Sequence, residues 1–254
     1  MRHQKLNAPV LERIKALKAQ HPFWGYRRIW AYLKYRECLA VNKKRIYRLM
    51  KENGLLVSRN MKLKACRTPL KAKPRANRPN QIWGIDMTKV MLSSWGWLYL
   101  HVVLDWYTKK IVGYNLSMRS KTSEWLDALE KALAVQFPEG VRDGDDHQLH
   151  LVSDNGSQPT SIKFMAACNV LRIKQIFASY DNPKGNADTE RVIRTLKEDL
   201  IWPNDFQTPI ELEAALDKWV VDYNTDYPHS TLGYKTPCEF EGLHLEKFPN
   251  FLVA

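Results

Sequence analysis

The chain has few cysteines and no long apolar run, and each absence excludes a class of protein. The four cysteines lack the short spacings of a zinc site, and 254 residues are too many for a disulfide-stapled miniprotein. No stretch approaches the roughly 18 apolar residues of a membrane helix, and no apolar run follows the first residues as in a secretory signal. These features predict a soluble, cytoplasmic protein without a membrane partner. The cysteines are expected to be reduced thiols, packed or half-buried: Cys38, Cys66, Cys168 and Cys238.

Acidic residues are nearly missing from the first third of the chain. Residues 1–80 carry 22 Lys and Arg against three Glu, a net charge of +19, whereas residues 81–254 carry 17 against 24 acidic residues, a net charge of −7. This division predicts two units with different tasks. A polyanion such as DNA suits the basic unit, because contacts with phosphates release counterions. A membrane surface is the rival partner, but no segment has the wide apolar face of an inserting helix.

The basic front is predicted to be helical, and the hydrophobic fraction of 44% with nine Trp indicates a folded protein. Helices are expected over residues 8–20, 26–35 and 43–52, the last one capped by Asn42. Three short helices with a basic third helix are typical of a helix-turn-helix domain, which we place at residues 1–57. A small bundle with a solvated basic face is the alternative. The DNA contacts expected on the third helix are Lys43, Lys44 and Arg48.

Residues 58–80 have the composition of a linker. They contain eight Lys or Arg, three Pro and no acidic residue. Such a segment does not bury a core and stays extended. It either follows a DNA backbone electrostatically or serves only as a solvated tether.

From Gln81 onward the pattern is typical of alternating strands and helices. Three strands joined by short turns predict an antiparallel meander, and helices that follow single strands favour parallel pairing of the later strands. We therefore expect an α/β core with a mixed five-stranded sheet flanked by helices over residues 81–240, and a C-terminal tail at 241–254. The expected strands are 82–92, 97–105, 111–117, 149–153 and 173–178, and the expected helices are 123–136, 162–170, 187–200 and 209–223.

Three carboxylates stand in distinctive settings within this core. Asp86 lies in an apolar strand, Asp154 follows a short buried strand, and Glu190 lies in the first turns of a helix. Cutting a phosphodiester at neutral pH needs an activated nucleophile and neutralisation of developing charge, which two divalent ions held by a few carboxylates provide. Neighbouring acids repel each other unless a cation lies between them, so a site built from these three predicts bound metal.

Each acid also has an ordinary structural explanation. Asp86 suits a strand end, Asp154-Asn155-Gly156 is a common turn signal, and Glu190 suits the N-terminal end of a helix. Asp105 competes with Asp86 because it also ends a strand. The positions of the acids alone leave these alternatives open.

The sequence from about Arg78 onward resembles the integrase catalytic core that retroviral integrases share with the transposases of many bacterial insertion sequences. Thirty-five residues separate Asp154 from Glu190, which is the spacing in that family's Asp-Asp-Glu triad. Residues 21–29 resemble the helix-turn-helix that precedes the core in insertion-sequence transposases with two overlapping reading frames. The matching stretches of the core are residues 80–88, 104–113, 153–157, 185–191 and 223–229.

The resemblance implies a ribonuclease-H-like fold and DNA strand cleavage followed by strand transfer. It implies magnesium or manganese as cofactor, with two ions per active site. Asp86, Asp154 and Glu190 are then the catalytic metal ligands: water is activated between the ions at Asp86 and Asp154, and Glu190 holds the second ion. Asp105 falls outside the triad and is assigned a structural role.

The resemblance also implies partners. These are the element's terminal repeats and target DNA, a homo-oligomer assembled on DNA in the nucleoid, and the upstream-frame product, since this chain is similar to a second-frame product. A DNA-binding regulator without strand transfer and a plain nuclease of the same fold are the alternatives. The backbone contacts expected near the site are Lys184, Arg194 and Lys197.

Overall fold

The computed structural model describes residues 2–57, 75–141, 148–178 and 185–247, with side chains from Asn7 to Glu246 within these ranges. Lys184, Cys66 and most of the predicted linker, residues 58–74, lie outside these ranges. No helix within them is long and apolar enough to span a membrane. The described cysteines are free thiols, but Cys38 is exposed, so the expectation that every thiol is packed or half-buried is wrong there.

The front of the chain forms the three predicted helices. The Asn42 side chain accepts a hydrogen bond from the backbone amide of Lys44, so it caps the third helix as expected. The first helix begins earlier than the sequence predicts, ahead of Pro9, which lies inside it. The helices are α1 (Arg2–Gln20), α2 (Tyr26–Tyr35) and α3 (Lys43–Glu52).

The remainder contains five strands: β1 (Ile82–Leu92), β2 (Gly96–Asp105), β3 (Ile111–Ser117), β4 (Leu149–Ser153) and β5 (Ile173–Phe177). They form one sheet in the order β3-β2-β1-β4-β5. β1 pairs antiparallel with β2, and β2 pairs antiparallel with β3. β4 lies parallel to both β1 and β5. The predicted meander and the predicted mixed sheet are therefore confirmed.

Helices cover both faces of the sheet: α4 (Thr122–Gln136), α5 (Ile162–Val170), α6 (Ala187–Leu196), α7 (Pro209–Thr225) and α8 (Pro237–Lys247). Successive side chains of a strand point to opposite faces, and β1 follows this rule. Trp83 and Ile85 pack with α4 and α5, whereas Ile82 packs with α6 and α7. The sheet thus separates two apolar layers.

Two helices differ from the sequence prediction. The predicted helix 187–200 is α-helical only to Leu196 and continues as a π-helical turn, Lys197–Ile201. A π turn holds an additional residue, which shifts the phase of the side chains after it. Helix α8 was not predicted, and residue 240, the expected end of the core, lies inside it. Apolar periodicity did not reveal α8 because polar contacts hold it, such as the 2.6 Å hydrogen bond from Lys110 Nζ to Glu241.

The three-helix domain packs directly on the sheet domain. Apolar residues of α1–α3 belong to the same buried cluster as those of α6 and α7. Trp24 is only 1% exposed, and its Nε1 donates a 3.2 Å hydrogen bond to Asp199 in the π-helical turn. Arg36 adds a two-pronged ion pair with Glu239, at 2.5 and 3.0 Å. The helical domain is therefore fixed relative to α6.

Strand β1 and helix α6 approach each other most closely at Gly84. A Cβ at this position would collide with Thr189 Oγ1 and Trp106 Nε1 and would lie 2.8 Å from Asn186 Oδ1. Trp106 Nε1 donates a 3.2 Å hydrogen bond to Thr189, and Asn186 donates a 3.1 Å hydrogen bond to the carbonyl of Ile85. The start of α6 can therefore lie this close to the sheet only where β1 has no side chain.

We expect Gly84→Ala to lower the free energy of unfolding by about 1–3 kcal/mol, because the added methyl group overpacks the contact between β1 and α6. Urea denaturation followed by tryptophan fluorescence measures the change. Gly242→Ala is the control, since nothing lies within 4 Å of a Cβ at that helical position. Equal destabilisation by the two substitutions would contradict this account of Gly84.

Candidate active site

Asp86 lies inside a strand and not at its end, so that part of the sequence interpretation is wrong. β1 continues to Leu92 alongside β2, but its pairing with β4 stops where Gly84 lies opposite Val152. Asp86 and Asp154 each follow this last pair by two residues, Asp86 within β1 and Asp154 in the turn after β4. Asp154 is exposed in the turn after β4, whereas Asp86 is half-buried in the sheet.

Helix α6 carries Glu190 to the same place. Gly84 and Asp86 point to the same face of β1, since side chains alternate along a strand. Thr189 packs over Gly84, and Glu190 is the next residue of the helix. The three acids predicted from the sequence therefore come from one strand interior, one strand end and one helix start that meet on a single face of the sheet.

The electrostatics of Asp86 show that these groups are close. Burial raises the pKa of Asp86 to about 6, a hydrogen bond from the Met87 amide lowers it, and the charges of Asp154 and Glu190 raise it further. The positive charge of Lys197 attracts the Asp86 carboxylate and so lowers its pKa. The site therefore concentrates negative charge around one half-buried carboxylate, which favours a bound cation.

The carboxylates do not form a closed metal cage as they stand. Among the described residues, no three His, Cys, Asp or Glu side chains converge as a ligand set. Asp86 Oδ1 accepts a 2.8 Å hydrogen bond from the Met87 amide, and Asp154 Oδ1 accepts a 3.1 Å hydrogen bond from the Gly156 amide. The chemical type of these groups nevertheless suits a divalent ion, because all three are negatively charged carboxylates that offer oxygen ligands.

Asp105 has the structural role that the resemblance implied. It is buried and accepts hydrogen bonds from the backbone amide of Thr108 at 3.0 Å and from its hydroxyl at 2.6 Å. These bonds close the turn between β2 and β3. Burial raises the pKa of Asp105 to about 6, and the hydrogen bonds from Thr108 lower it.

The basic residues predicted near the acids do not share one surface. Lys197 acts on Asp86, whereas exposed Arg194 donates a 2.8 Å hydrogen bond to Glu198 on the outer side of α6. On α3, Lys44 and Arg48 are exposed. Lys43 instead lies 4.3 Å above the ring of Trp30 and is half-buried.

Several positioning residues were not recognised from the sequence. Asn186 stands where a helix cap is expected, but its side chain bonds the carbonyl of Ile85 and does not cap α6. The Asn224 side chain accepts a hydrogen bond from the backbone amide of Ile111 and donates one to the carbonyl of Ile111, both at 3.0 Å. These two bonds join α7 to β3. Only the match of residues 185–191 and 223–229 to a known family marked these asparagines.

Family models match three parts of the chain. Residues 5–62 match an HTH-like domain, and residues 76–183 and 171–237 match two descriptions of an integrase core domain. A putative transposase for insertion sequence element IS986/IS6110 from Mycobacterium tuberculosis is 32% identical over 240 residues, covering 89% of this chain and 84% of that protein. The chain belongs to the insertion-sequence transposases.

Other relatives place this transposase in the same group. The transposase for insertion sequence element IS904 from Lactococcus lactis is 32% identical over 168 residues, 66% of this chain and 63% of that protein. The transposase for IS629 from Shigella sonnei is 29% identical over 240 residues, 91% of this chain and 77% of that protein. The enzyme is therefore a polynucleotidyl transferase of the Asp-Asp-Glu type, as the sequence resemblance implied.

Solved structures show the same fold. The simian T-cell lymphotropic virus intasome in complex with PP2A regulatory subunit B56 gamma has a chain with a TM-score of 0.54 and 20% identity, over 86% of this chain and 70% of that chain. The HTLV-2 integrase catalytic core in complex with magnesium, in its trimeric form, has a TM-score of 0.50 and 22% identity, over 66% of this chain and 99% of that chain. The expected ribonuclease-H-like core is confirmed.

The raised pKa of Asp86 makes stability depend on pH. Between its ordinary value of 3.8 and about 6, the folded state binds the proton more tightly than the unfolded state, so stability falls as pH rises through this range. We therefore expect Asp86→Asn to melt at a higher temperature than the wild type at pH 7, with a difference that shrinks toward pH 4.

Thermal melts in metal-free buffer across this pH range test the expectation. Asp127→Asn, at an exposed position of α4, is the matched control and should follow the wild type. A gain in melting temperature at Asp86 that is the same at every pH would argue against a buried, ionised carboxylate.

Proposed function

We propose that this transposase cuts and joins DNA strands at a site formed by Asp86, Asp154 and Glu190. The observation that carries the proposal is that β1, the turn after β4 and the start of α6 bring the three carboxylates to one face of the sheet, where burial and the two other charges raise the pKa of Asp86. Such a cluster is costly in a folded protein unless a cation or a reaction uses it. Its location on one face of an integrase-type core supports the same role.

Asp86, Asp154 and Glu190 would hold the metal, and we propose two ions of magnesium or manganese per site. Divalent ions, when bound, supply an activated nucleophile and neutralise charge that develops on the phosphate. The all-carboxylate donor set suits such ions, which prefer oxygen ligands. The related HTLV-2 integrase core was solved in complex with magnesium, which supports this choice. Exposed Asp154 can turn from the Gly156 amide without unburying any group.

The chain's own residues orient the reacting groups. Asp86 is held in the rigid centre of the sheet, and Glu190 is held by the packing of α6 on Gly84. In this proposal Lys197, whose charge acts on Asp86, binds a non-bridging oxygen of the scissile phosphate. Hydrolysis of that phosphodiester frees a 3′-hydroxyl, which then attacks a second phosphodiester at the same site and displaces its 3′-oxygen.

The helix-turn-helix domain is proposed to bind duplex DNA through the exposed face of α3. Lys44 and Arg48 lie on that face, whereas Lys43 packs over the ring of Trp30 in a cation–π contact. Joining two DNA ends needs two catalytic sites, so we propose a homo-oligomer on DNA, with the upstream-frame product as a further partner. The intasome from simian T-cell lymphotropic virus supports an assembly of this kind.

We expect Asp154→Asn to reduce magnesium-dependent cleavage of an end-containing duplex by at least about 100-fold, since even changes that merely support metal ligands cost about 10–100-fold. Duplex binding should persist, because α3 is unchanged. A gel assay of cleavage and a gel-shift assay of binding measure the two activities. Asp222→Asn, at an exposed position of α7, is the matched control.

Magnesium should raise the melting temperature of the wild type and of Asp222→Asn but not of Asp154→Asn, since only a ligand of the folded state stabilises it. Undiminished cleavage by Asp154→Asn would remove this residue from the proposed site. Cleavage without joining would leave a plain nuclease of the same fold.

We expect Lys44→Ala and Arg48→Ala each to weaken duplex binding and to lower the slope of log affinity against log salt by about one. Fluorescence anisotropy over a range of salt concentrations measures the slope. Lys163→Ala, on the exposed side of α5, is the control and should leave the slope unchanged. Slopes equal to the wild type in both α3 variants would exclude this face as the duplex contact.

A further inference from the structure

A cleft of about 940 Å³ lies on the outer side of α6, beside the contact with the helical domain. Its walls are the start of α2, the exposed face of α6 and the turn that follows α7. Glu190 lines this cleft and also acts on the charge of Asp86, so the cleft adjoins the candidate active site. Neither the helix-turn-helix surface on α3 nor the carboxylate cluster accounts for it.

The lining of the cleft carries a net charge of +2, from five Lys or Arg against Asp188, Glu190 and Glu198. Arg194 is paired with Glu198, and Lys109 is paired with Asp188 at 3.1 Å, so these four lining residues neutralise one another. Three further arginines of the wall form no ion pair with any residue in the described ranges: Arg27, Arg28 and Arg191. Arg28 also attracts the carboxylate of Asp199 electrostatically, which leaves Arg27 and Arg191 as the exposed guanidinium groups that suit the phosphates of a ligand.

Aromatic rings alternate with these charges. Arg28 Cζ lies 4.4 Å above the ring of Tyr227, and Arg27 Nε donates a 3.2 Å hydrogen bond to the hydroxyl of Tyr26. Tyr234 lines the same cleft. Positive charge interleaved with aromatic faces is the composition of sites for unpaired nucleic acid, because bases stack on the rings while the cations follow the backbone.

Two polar atoms behind the cleft have no partner within the described part of the chain. These are the hydroxyl of buried Tyr223 and the buried Nε2 atom of His229, and both residues line the cleft. Their rings meet edge to face at 5.1 Å. An unsatisfied buried polar group costs stability, so a group that enters from the cleft and bonds either atom would recover that cost.

We propose that this cleft binds a short stretch of unpaired DNA strand next to the active site. The inference rests on the proposed strand cleavage and adds a second DNA contact to it. The volume lies within the roughly 300–1,000 Å³ of small-ligand sites, a size that suits a short single-stranded segment. An end of duplex DNA that opens beside Glu190 supplies such a strand. Its phosphates then bind the arginines of the wall, and its bases stack on the tyrosines.

The test is the binding of a fluorescein-labelled oligothymidylate, measured by anisotropy in EDTA so that no cleavage occurs. Arg27→Glu and Arg191→Glu should each raise the Kd for this single strand by roughly tenfold, the loss expected when one base or phosphate contact is removed. Lys163→Glu is the control with the same change in charge, on exposed α5. A blunt duplex of equal length should lose less affinity than the single strand in both cleft variants.

Photocrosslinking then locates the strand. An oligonucleotide that carries 5-iododeoxyuridine should crosslink to Tyr26 or Tyr234, the partly exposed rings of the cleft, identified by mass spectrometry of the peptides. Single-strand affinity that falls no more than in Lys163→Glu, or crosslinks found only outside the cleft, would overturn the proposal. Both readouts are taken in EDTA and need no cleavage, so a failure of the cleavage chemistry is distinguished from a failure of this site.

Discussion

The position of helix α6 depends on a missing side chain. Because Gly84 has no Cβ, Thr189 and Asn186 rest directly on strand β1, and Glu190 arrives above the level of Asp86. The outer side of the same helix, with its π-helical turn, receives the helical domain through Trp24. One close approach therefore sets the positions of Glu190, of the helix-turn-helix domain and of the walls of the cleft between them.

The two aspartates differ because neighbouring strands end at different places. β4 stops one residue before Asp154, so this carboxylate stands in an exposed turn and can change its partner. β1 continues past Asp86 to Leu92, so this carboxylate is held in place and its charge is poorly solvated. A fixed group and an adjustable group, side by side, suit a site that must accept successive DNA strands without losing its shape.

Much of this arrangement was predictable from local sequence. Alternating apolar residues gave the bounds of β1, β3 and β4, and Asn42 marked the start of α3. The remaining features depend on contacts between distant segments, which no local pattern records. The π-helical turn accompanies the hydrogen bond from Trp24 to Asp199, 175 residues away, and Lys43 turns inward because the ring of Trp30 lies beneath it. The acids themselves were individually ambiguous until a family resemblance joined them.

The shared apolar cluster of α1–α3 with α6 and α7 has a consequence for modularity. A helix-turn-helix that is only tethered can be replaced by another, and the enzyme then reads a different DNA sequence. Here a replacement domain would have to reproduce the hydrogen bond from Trp24 to Asp199 and the ion pair of Arg36 with Glu239. Without them, the carboxylate of Asp199 would lose its partner and the apolar surface of the sheet domain would become exposed. If the outer face of α3 is the duplex contact proposed above, DNA specificity can vary there, whereas the inner face of the domain is fixed by its packing on the sheet domain.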